Sequence, residues 1–516
     1  MTQPTAEDVL SGAAARFPDR TAIYEPATGD RLTFAELDGR ARQVAAGLAD
    51  LGLEPGDRLS ATIGDSIEFL ELLFGSFHAG LVFNPISYRA PSERLAYVIS
   101  DAASSALVYD DVTAETVASL DTLPETTIAV DPDAEPVEGS RAYADLVAER
   151  VQTPDVSESD PAILMYTSGT TGQPKGVLHS HRTVVAAALV SLPYNRLRPT
   201  DVNLSLGPLY HVGPLLCNVL PATNVGASNV IAHGFDAEST LESIESAEIT
   251  TMWGVPTHVR ALVDAPSIDD RELSHVRMIQ YSGSAMPAAV ARQAGEHLPN
   301  CEFVNAYGST EIVFGTLLFP EFHEEKLGSI GHAAPNAEVR VVDPEEPVPE
   351  ATLGPGEVGE LLVKASTCML EYWRDPAATE AAMAGGWFRT GDLARRDEDG
   401  FLYFVDRKDD MIVTGGENVY PAEVEELLHD HPDVAVSAVV GVPDEQWGEV
   451  VTAAVVPAGE ELSTDELDTF FRESEAIESF KRPRRYVLRE RLPQTASDKI
   501  DRRALLESLS ESSTHD

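Results

Sequence analysis

Alternating helix and strand signals run through about the first 400 residues, and they restrict the fold more than any other feature of the chain. Thr33 and Glu36 form the capping-box pattern that begins a helix. A strand at 58–63, a helix capped near Asp65 and an apolar strand at 81–86 follow, which is a βαβ unit. The sequence therefore predicts an α/β fold with mostly parallel sheets, in which ligands bind at the carboxyl ends of the strands.

The pattern changes after about residue 400 and predicts a second, smaller domain. Pro421 begins a helix, and strands follow at 434–440 and 450–456. About a hundred residues of mixed helix and strand are typical of a small α+β domain. The last residues, 506–516, are mainly polar, and we expect this end of the chain to be frayed.

The net charge of the chain is unusually negative. Its 516 residues include 85 acidic and 37 basic side chains, which gives a formal charge of −48 at pH 7. The acidic residues are spread between normal apolar periods rather than gathered in a tail. This pattern is typical of proteins that remain in solution in concentrated salt, so we expect a halophilic protein.

Basic residues are few, and their placement is informative. Only six are lysines, so every lysine is a candidate for a specific role, namely Lys175, Lys326, Lys364, Lys408, Lys481 and Lys499. The segment 481–503 carries nine basic and three acidic residues, against the charge of the rest of the chain. It shows no recognisable nucleic-acid-binding module, so the expected partner is a small polyphosphate and not a nucleic acid.

Signals of export or membrane insertion do not occur in the sequence. The apolar stretches fall short of the ~20 residues that a membrane-spanning helix needs. Residues 1–8 lack the basic start and apolar run of a signal peptide. Cys217, Cys301 and Cys368 lie far apart without metal-type spacing, and their odd number argues against a disulfide framework. We therefore expect a cytoplasmic protein with no integral membrane segment.

The segment "YTSGTTGQPKG" at 166–176 has the composition of a phosphate-binding loop. The P-loop pattern requires Gly directly before its Lys and Ser or Thr directly after it, because the loop must open a helix and place a hydroxyl on Mg²⁺. Here Pro174 precedes Lys175 and Gly176 follows it. The loop is therefore not a P-loop, and another part of the chain must supply a metal ligand.

Five motifs together resemble one superfamily over nearly the whole chain. They are "YTSGTTGQPKG" (166–176), "NAYGSTE" (305–311), "GWFRTGD" (386–392), "DRKDDMIVTGGENVYPAEVE" (406–425) and "LPQTASDKIDR" (492–502). Their order and rough spacing are those of the adenylate-forming enzymes, which include acyl-CoA synthetases, nonribosomal-peptide adenylation domains and firefly luciferase. The resemblance implies that ATP activates a carboxylate as an acyl-adenylate and that a thiol then captures the acyl group.

The same resemblance implies a domain arrangement. A large domain, 1–408, holds mostly parallel sheets with helices and a small β-barrel-like subdomain. A mobile α+β lid domain, 409–516, follows it, with Asp409 as the hinge.

The resemblance also assigns a site for ATP and Mg²⁺. The phosphates are held by Thr167, Ser168, Gly169, Thr170, Thr171, Gly172 and Lys175. The adenosine is held by Gly283, Ser284, Ala285, Asn305, Ala306, Tyr307 and Gly308, with Tyr307 stacked on adenine. Thr310 meets the α-phosphate, and Glu311 with Thr167 holds Mg²⁺. Asp392 accepts hydrogen bonds from the ribose, and Arg407 contacts ribose or phosphate.

By the same resemblance, Lys499 is the catalytic lysine that bridges the carboxylate and the α-phosphate. The sequence departs from the superfamily at the preceding position, where Asp498 stands in place of the usual Gly. If the backbone there needs a positive φ, Asp tolerates it better than most residues. A neighbouring acid also favours the charged form of the lysine.

CoA is the thiol that the C-terminal motifs favour. By resemblance to bacterial acyl- and aryl-CoA ligases, Gly415 and Gly416 line the pantetheine tunnel. Trp447 and Phe480 flank the CoA adenine, whereas Arg482 and Arg484 meet its phosphates. Loading of a carrier protein, luciferase-type oxidation and a non-catalytic nucleotide sensor are the alternatives.

The carboxylic acid is the least defined of the substrates. His211, Trp253 and Gly283 are the candidate acyl-binding residues, and their segments contain no Arg or Lys that would pair with a charged tail. An apolar monocarboxylate is therefore favoured, with a fatty acid as the first expectation and a benzoate- or coumarate-like aryl acid as the alternative. Whether the protein forms a homodimer is left open.

Overall fold

A computed structural model of the chain describes residues 3–131, 137–146, 154–167, 173–444, 446–459, 462–474, 477–494 and 500–512. Within this part, the chain forms two compact units. The first is built from residues up to Thr167, from Pro174–Val339 and from Val363–Phe388, and the second chiefly from Arg340–Leu362 and the chain after Arg389.

The first unit contains two large sheets. The nine-stranded sheet has the order His332–Ala333, Thr316–Leu318, Glu302–Tyr307, Met278–Tyr281, Thr251–Gly254, Val202–Ser205, Ser228–Val230, Thr21–Glu25 and Asp30–Thr33. The eight-stranded sheet has the order Glu371–Tyr372, Gly176–Ser180, Pro161–Tyr166, Val82–Pro85, Arg58–Thr62, Ala106–Tyr109, Thr126–Ala129 and Arg141–Ala142. Six adjacent strands are parallel in each sheet. The prediction of mostly parallel sheets is thus confirmed.

Helices connect these strands. The α-helices of this unit are Asp8–Arg16, Phe34–Asp50, Ile67–Ala79, Ser92–Ala102, Ala114–Ala118, His181–Val190, Leu192–Asn195, Leu220–Val225, Ala237–Ser246, Pro256–Val263, Ala288–His297, Pro320–His323 and Pro376–Ala382. Short 3₁₀ helices lie at Tyr143–Leu146 and Ile268–Asp270, and a π-helix lies at Gly213–Val219. None of the helices in the described ranges is both long and apolar enough to cross a membrane.

The helix Ile67–Ala79 lies in the centre of the main apolar core. Every residue of this helix except Glu68 is buried, as expected for a helix that is apolar all round. Gly75 allows it to pack closely on the helix Phe34–Asp50, because a Cβ there would lie 2.8 Å from Val44 Cγ1. Close packing of this kind fixes the βαβ unit that the sequence predicts.

Two local predictions about helix starts in this unit are confirmed. The capping box of Thr33 and Glu36 is present at the start of Phe34–Asp50, as predicted. The cap predicted near Asp65 is also present, because Ser66 Oγ accepts a hydrogen bond from Phe69 N at 3.2 Å. Asp65 instead accepts a hydrogen bond from Leu209 N, and its burial raises its pKa to about 7.

The second unit contains a small C-terminal sheet with helices. The sheet has the order Glu417–Val419, Ile412–Thr414, Gly448–Pro457 and Val434–Asp444, and Arg485–Leu488 pairs in parallel with Gly448–Pro457. The helices are Pro421–His429, Thr464–Glu473 and Arg502–Ser512, and a 3₁₀ turn lies at Lys408–Asp410. The predicted α+β character is confirmed. The expectation of a frayed end is wrong up to Ser512, because this helix buries Leu505 and Leu509 in the apolar core.

A further five-stranded sheet is formed by Ala337–Val342, Val358–Ala365, Trp387–Arg396, Met383–Ala384 and Leu402–Arg407. Leu402–Arg407 pairs antiparallel with Trp387–Arg396. This sheet places Asp392 directly opposite Arg407, which is the part of it that bears on function.

Candidate active site

Four adjacent parallel strands of the nine-stranded sheet bring candidate residues to one edge. The strands Val202–Ser205, Thr251–Gly254, Met278–Tyr281 and Glu302–Tyr307 are neighbours in this order. The segment with His211, then Trp253, then Gly283–Ala285, then the segment 307–311 lie at or just after their carboxyl ends. The carboxyl edge of a parallel sheet is the usual ligand-binding edge of an α/β fold. The structure therefore places the predicted adenosine and acyl segments side by side.

A tight turn carries Thr310 and Glu311 beyond the last of these strands. A Cβ at Gly308 would lie 2.0 Å from Val313 O, so a side chain cannot be accommodated there. Val313 adopts a left-handed backbone with φ of 56°, which is uncommon for a β-branched residue. Constraint of this kind holds the turn in one conformation.

Two groups of a distant segment hold Glu311. The hydroxyl of Tyr372 donates to Glu311 Oε1 at 2.8 Å, and Met369 N donates to the main-chain oxygen of Glu311 at 2.7 Å. The ammonium of Lys175 lies over the face of the Tyr372 ring, 5.0 Å from its centroid. Tyr372 is thus in contact with both Lys175 and Glu311, although no motif around Tyr372 indicates this.

The loop that contains Thr167 joins two antiparallel strands. Pro161–Tyr166 pairs with Gly176–Ser180, and Thr167 N donates to Lys175 O at 3.0 Å across the base of the loop. A P-loop joins a strand to a helix, so this connection confirms that the loop is of another kind. The predicted phosphate-binding residues Ser168, Gly169, Thr170, Thr171 and Gly172 lie outside the described residues.

His179 links the loop strand to the turn at Thr310. It is fully buried, and its Nε2 lies 2.8 Å from the main-chain oxygen of Thr310. Burial lowers the pKa of His179 to about 4, more than the hydrogen bond to Thr310 and the charge of Glu311 raise it. The imidazole is therefore neutral at physiological pH and donates to Thr310 O as a structural link. Sequence reasoning missed both His179 and Tyr372.

The candidate acyl segment packs around Trp253, which is buried. A Cβ at Gly213 would lie 2.4 Å from Trp253 Cζ2, and one at Gly207 would lie 2.7 Å from Trp253 Cζ3. The two glycines therefore leave the space that the indole fills. His211 lies two residues before the π-helix Gly213–Val219. Helices of this kind are rare, and they often occur at functional sites.

The described residues include some oxygen donors that could bind Mg²⁺, but not a complete set of metal ligands. Among them, no group of three His, Cys, Asp or Glu side chains is placed to hold a metal ion. Glu311 and the hydroxyl of Thr167 are hard oxygen donors, and Mg²⁺ is commonly held by one or two protein groups together with substrate phosphates. The donor set thus fits a metal that arrives with a nucleotide.

In the second unit, Asp392 and Arg407 are paired. Arg407 Nη1 lies 2.7 Å from Asp392 Oδ1, and Thr390 Oγ1 accepts a hydrogen bond from Asp392 N. The structure thus brings together Asp392, which the resemblance assigns to the ribose, and Arg407, which it assigns to the ribose or a phosphate.

The predicted CoA residues of the second unit divide into two groups. Gly415 has a φ of 62°, and its N donates to Trp447 O at 2.8 Å. The guanidinium of Arg484 lies over the Trp447 ring, 4.0 Å from its centroid. Trp447 is therefore in contact with both Gly415 and Arg484. Gly416 is next in the chain, with a φ of 87° and open space where a Cβ would lie.

The remaining two CoA residues have other contacts. Arg482 forms an ion pair with Asp468 at 2.8 Å, and Phe480 packs against the apolar core of the C-terminal sheet. Asp468 offsets part of the positive charge that the sequence assigned to the CoA phosphates.

Of the predicted hinge and the predicted catalytic lysine, only the hinge lies within the described residues. Asp409 is exposed in the 3₁₀ turn Lys408–Asp410. Lys499 lies outside the described residues. Three residues after it, Arg502 donates through Nη2 to Glu425 Oε2 at 2.8 Å, which anchors the chain immediately after the lysine.

Comparison with known proteins identifies the family. The sequence model of the AMP-binding enzymes matches residues 10–373, and that of the AMP-binding enzyme C-terminal domain matches residues 423–499. The chain is 36% identical over 488 residues to a feruloyl-CoA synthase of Amycolatopsis sp, with 94% of each chain covered. It is 32% identical over 501 residues to a long-chain-fatty-acid–CoA ligase of Mycobacterium tuberculosis, with 96% of each covered.

Solved structures agree with this result. The o-succinylbenzoate CoA synthetase of Bacillus subtilis, in complex with its acyl-adenylate intermediate, superposes with a TM-score of 0.85 at 28% identity, with 98% of each chain covered. The chain therefore belongs to the AMP-binding enzymes of the adenylate-forming superfamily. Within that superfamily it is of the acyl- or aryl-CoA ligase type.

Proposed function

We propose that the protein is an AMP-forming carboxylate–CoA ligase, which converts a carboxylic acid, ATP and CoA to acyl-CoA, AMP and pyrophosphate. The observation that carries this proposal is the contact of both Glu311 and Lys175 with Tyr372, beside the edge where four parallel strands end. A carboxylate for a divalent metal and an ammonium for phosphate oxygens are the groups that a nucleoside triphosphate site needs.

In the first half-reaction, the chain neutralises phosphate charge and aligns the carboxylate. The ammonium of Lys175 contacts phosphate oxygens. Glu311 and Thr167 would hold Mg²⁺, which would supply positive charge to offset that of the phosphates. The hydroxyl of Thr310 donates a hydrogen bond to an oxygen of the α-phosphate. Lys499 bridges the acid carboxylate and the α-phosphate, so that the carboxylate oxygen attacks phosphorus and pyrophosphate leaves.

The nucleoside is held by two groups of residues. Tyr307 stacks on adenine, with Gly283–Ala285 and Asn305–Gly308 around it. Asp392 accepts hydrogen bonds from the ribose hydroxyls, and its ion pair with Arg407 fixes the orientation of its carboxylate. These roles follow from the superfamily resemblance together with the pairing of Asp392 and Arg407.

In the second half-reaction, CoA sulfur attacks the acyl carbon, the bond to AMP breaks, and the thiol proton passes to solvent. Gly415 and Gly416 line the pantetheine path, because residues without side chains permit close approach. We propose that the domain 409–516 turns at Asp409 between the half-reactions, relative to the domain 1–408. This turn explains how Lys499 and Gly415 serve different steps.

The acid is proposed to be an apolar monocarboxylate. A fatty acid is supported by the similarity to the mycobacterial ligase, and an aryl acid by the similarity to the feruloyl-CoA synthase.

A carboxylic-acid panel tests the proposal. Purified protein with ATP and Mg²⁺ is assayed for pyrophosphate release with fatty acids of increasing length and with benzoic, cinnamic and indoleacetic acids, followed by consumption of CoA thiol. Release with an apolar acid followed by thioester formation is the expected result. Transfer to a carrier protein but not to CoA supports the carrier-loading alternative, and no release with any acid supports the nucleotide sensor.

Replacement of Arg484 by alanine is expected to raise the KM for CoA about tenfold, because a charge-assisted phosphate contact is lost. The rate of pyrophosphate release should not change.

Arg482→Ala should have a smaller effect, since Asp468 already pairs with Arg482. Arg503→Ala is the matched control, because Arg503 is exposed and pairs with Glu507 on its own helix. A lower affinity for ATP with unchanged KM for CoA would show that the basic segment binds a different polyanion.

We also propose that the protein is halophilic, on the basis of its charge of −48. Dilution from molar KCl to about 0.1 M lengthens the screening distance from about 3 to about 10 Å, so repulsion between surface carboxylates increases. Activity and melting temperature should both fall on dilution and return when KCl is restored. Full stability in dilute buffer would refute this proposal.

The location and assembly of the protein are proposed from the sequence alone. A cytoplasmic location is proposed from the composition, and a homodimer stays an open alternative that sedimentation can decide.

A further inference from the structure

The segment 369–373 holds the two charged groups of the proposed nucleotide site from a distant part of the chain. Its short strand, Glu371–Tyr372, pairs antiparallel with Gly176–Ser180, and Tyr372 is opposite Val177. Trp373 N donates to Gly176 O at 2.7 Å. Tyr372 is therefore fixed opposite the second residue after Lys175.

The hydroxyl of Tyr372 faces the carboxylate of Glu311. It donates to Oε1 at 2.8 Å, and Tyr372 is only 7% exposed, so water competes weakly for this contact. A donor on one carboxylate oxygen fixes the orientation of the group and leaves the second oxygen to act as a metal ligand. Removal of a group that orients a metal ligand in this way commonly changes metal affinity by about 10- to 100-fold.

The ring of Tyr372 faces the ammonium of Lys175 at 5.0 Å from its centroid. An aromatic face attracts a cation without neutralising it, because the ring carries no net charge. The ring thus holds the lysine without forming an ion pair that would compete with phosphate oxygens. The hydroxyl and the ring act on different residues, so a substitution can remove one contact and retain the other.

We propose that Tyr372 is a positioning residue of the adenylation site, whose hydroxyl orients Glu311 toward the metal–ATP complex and whose ring holds Lys175 toward the phosphates. This inference rests on the proposed function. It assigns to Tyr372 two separable effects, one on the requirement for metal and one on the affinity for nucleotide.

Tyr372→Phe tests the first effect, because it removes only the hydroxyl. The Mg²⁺ concentration for half-maximal pyrophosphate release is expected to rise about tenfold, and excess Mg²⁺ should restore most of the rate. Binding of Mn²⁺ to the protein with a nonhydrolysable ATP analogue, followed by electron paramagnetic resonance, should weaken by a similar factor. This second measurement does not depend on turnover.

Tyr372→Leu tests the second effect, because it removes the ring as well. Relative to the Phe variant, affinity for the ATP analogue at saturating metal should fall by a further factor of about two to five. Tyr143→Phe is the matched control: Tyr143 is buried in the same unit, and its hydroxyl donates to Glu71 Oε2 at 2.7 Å. Its loss should leave the Mg²⁺ requirement unchanged.

The outcomes separate this inference from the proposed function. An unchanged Mg²⁺ requirement in Tyr372→Phe, with Glu311→Gln inactive, overturns the role of Tyr372 alone. A loss of rate in Tyr372→Phe that Mg²⁺ does not restore, together with a lower melting temperature, also overturns it by showing a purely structural role. Normal activity of Glu311→Gln contradicts the proposed site itself.

Discussion

Glu311→Gln is expected to reduce pyrophosphate release by about a hundred- to a thousandfold while the fold stays intact. Glutamine has nearly the same shape, and its amide oxygen can still accept the hydrogen bond that Tyr372 donates to Glu311. The negative charge on the metal ligand is lost, and metal stabilisation of phosphate charge is worth several kcal/mol, or at least two decades in rate. The measurement is pyrophosphate release at saturating acid and ATP, over a range of Mg²⁺ concentrations.

A neighbouring carboxylate provides the control for this substitution. Glu371 is exposed on the short strand beside Tyr372, so Glu371→Gln removes one negative charge from the same region without touching the proposed metal ligand. This variant should retain nearly normal activity. Near-normal release by folded Glu311→Gln would show that Glu311 is not the metal ligand and that the charge must be supplied elsewhere.

Gly415→Leu is expected to slow thioester formation by about a hundredfold and to leave acyl-adenylate formation nearly unchanged. Gly415 has a left-handed backbone with φ of 62°, and a Cβ there would lie 3.1 Å from Trp447 Cε3. A leucine side chain therefore presses on the Trp447 ring and fills the proposed pantetheine path. The two half-reactions are measured separately, by pyrophosphate release and by conversion of supplied acyl-adenylate with CoA.

Backbone strain is the alternative cause of such a defect. A side chain in the left-handed region costs about 1–2 kcal/mol wherever it occurs. Gly356 is the matched control, because its φ is 84° and a Cβ there would meet open space within the same unit. If Gly356→Leu slows thioester formation as much as Gly415→Leu does, strain and not obstruction of the CoA path is responsible.

Lys499→Ala should show the reverse pattern, with loss of adenylation and retention of thioester formation from supplied acyl-adenylate. The opposite defects of Lys499→Ala and Gly415→Leu would support separate roles for two parts of the C-terminal domain. Equal loss of both half-reactions in both folded variants would instead favour a single fixed site.

Much of the fold follows from local patterns. The capping box at Thr33, the apolar strand in 81–86 and the helix that Pro421 begins all appear where the sequence predicts them. These signals act within a few residues, and such local preferences survive in the folded chain when packing does not oppose them. The cap predicted near Asp65 is also present, at Ser66, whereas no local pattern predicts that the carboxylate of Asp65 accepts a hydrogen bond from Leu209, 144 residues away.

The C-terminal end of the chain also shows that a local pattern does not predict long-range packing. Residues 506–512 look polar in the sequence, yet they continue a helix whose Leu509 is completely buried. A few apolar residues at helical spacing are enough to hold such a helix in place when an apolar surface is available for them to pack on. That surface, formed by residues such as Val440 and Ala454, is not visible in the local sequence.

The sequence alone determined the family and the α/β class, because motif composition and spacing are local properties. Only the tertiary structure placed Tyr372 between Lys175 and Glu311, and His179 against Thr310, because these contacts join residues at least 61 positions apart. Such contacts depend on which strands pair and on how close two backbones approach. Strand pairing is decided by the packing of the whole sheet. The sequence around Tyr372 therefore could not predict its contacts with Lys175 and Glu311.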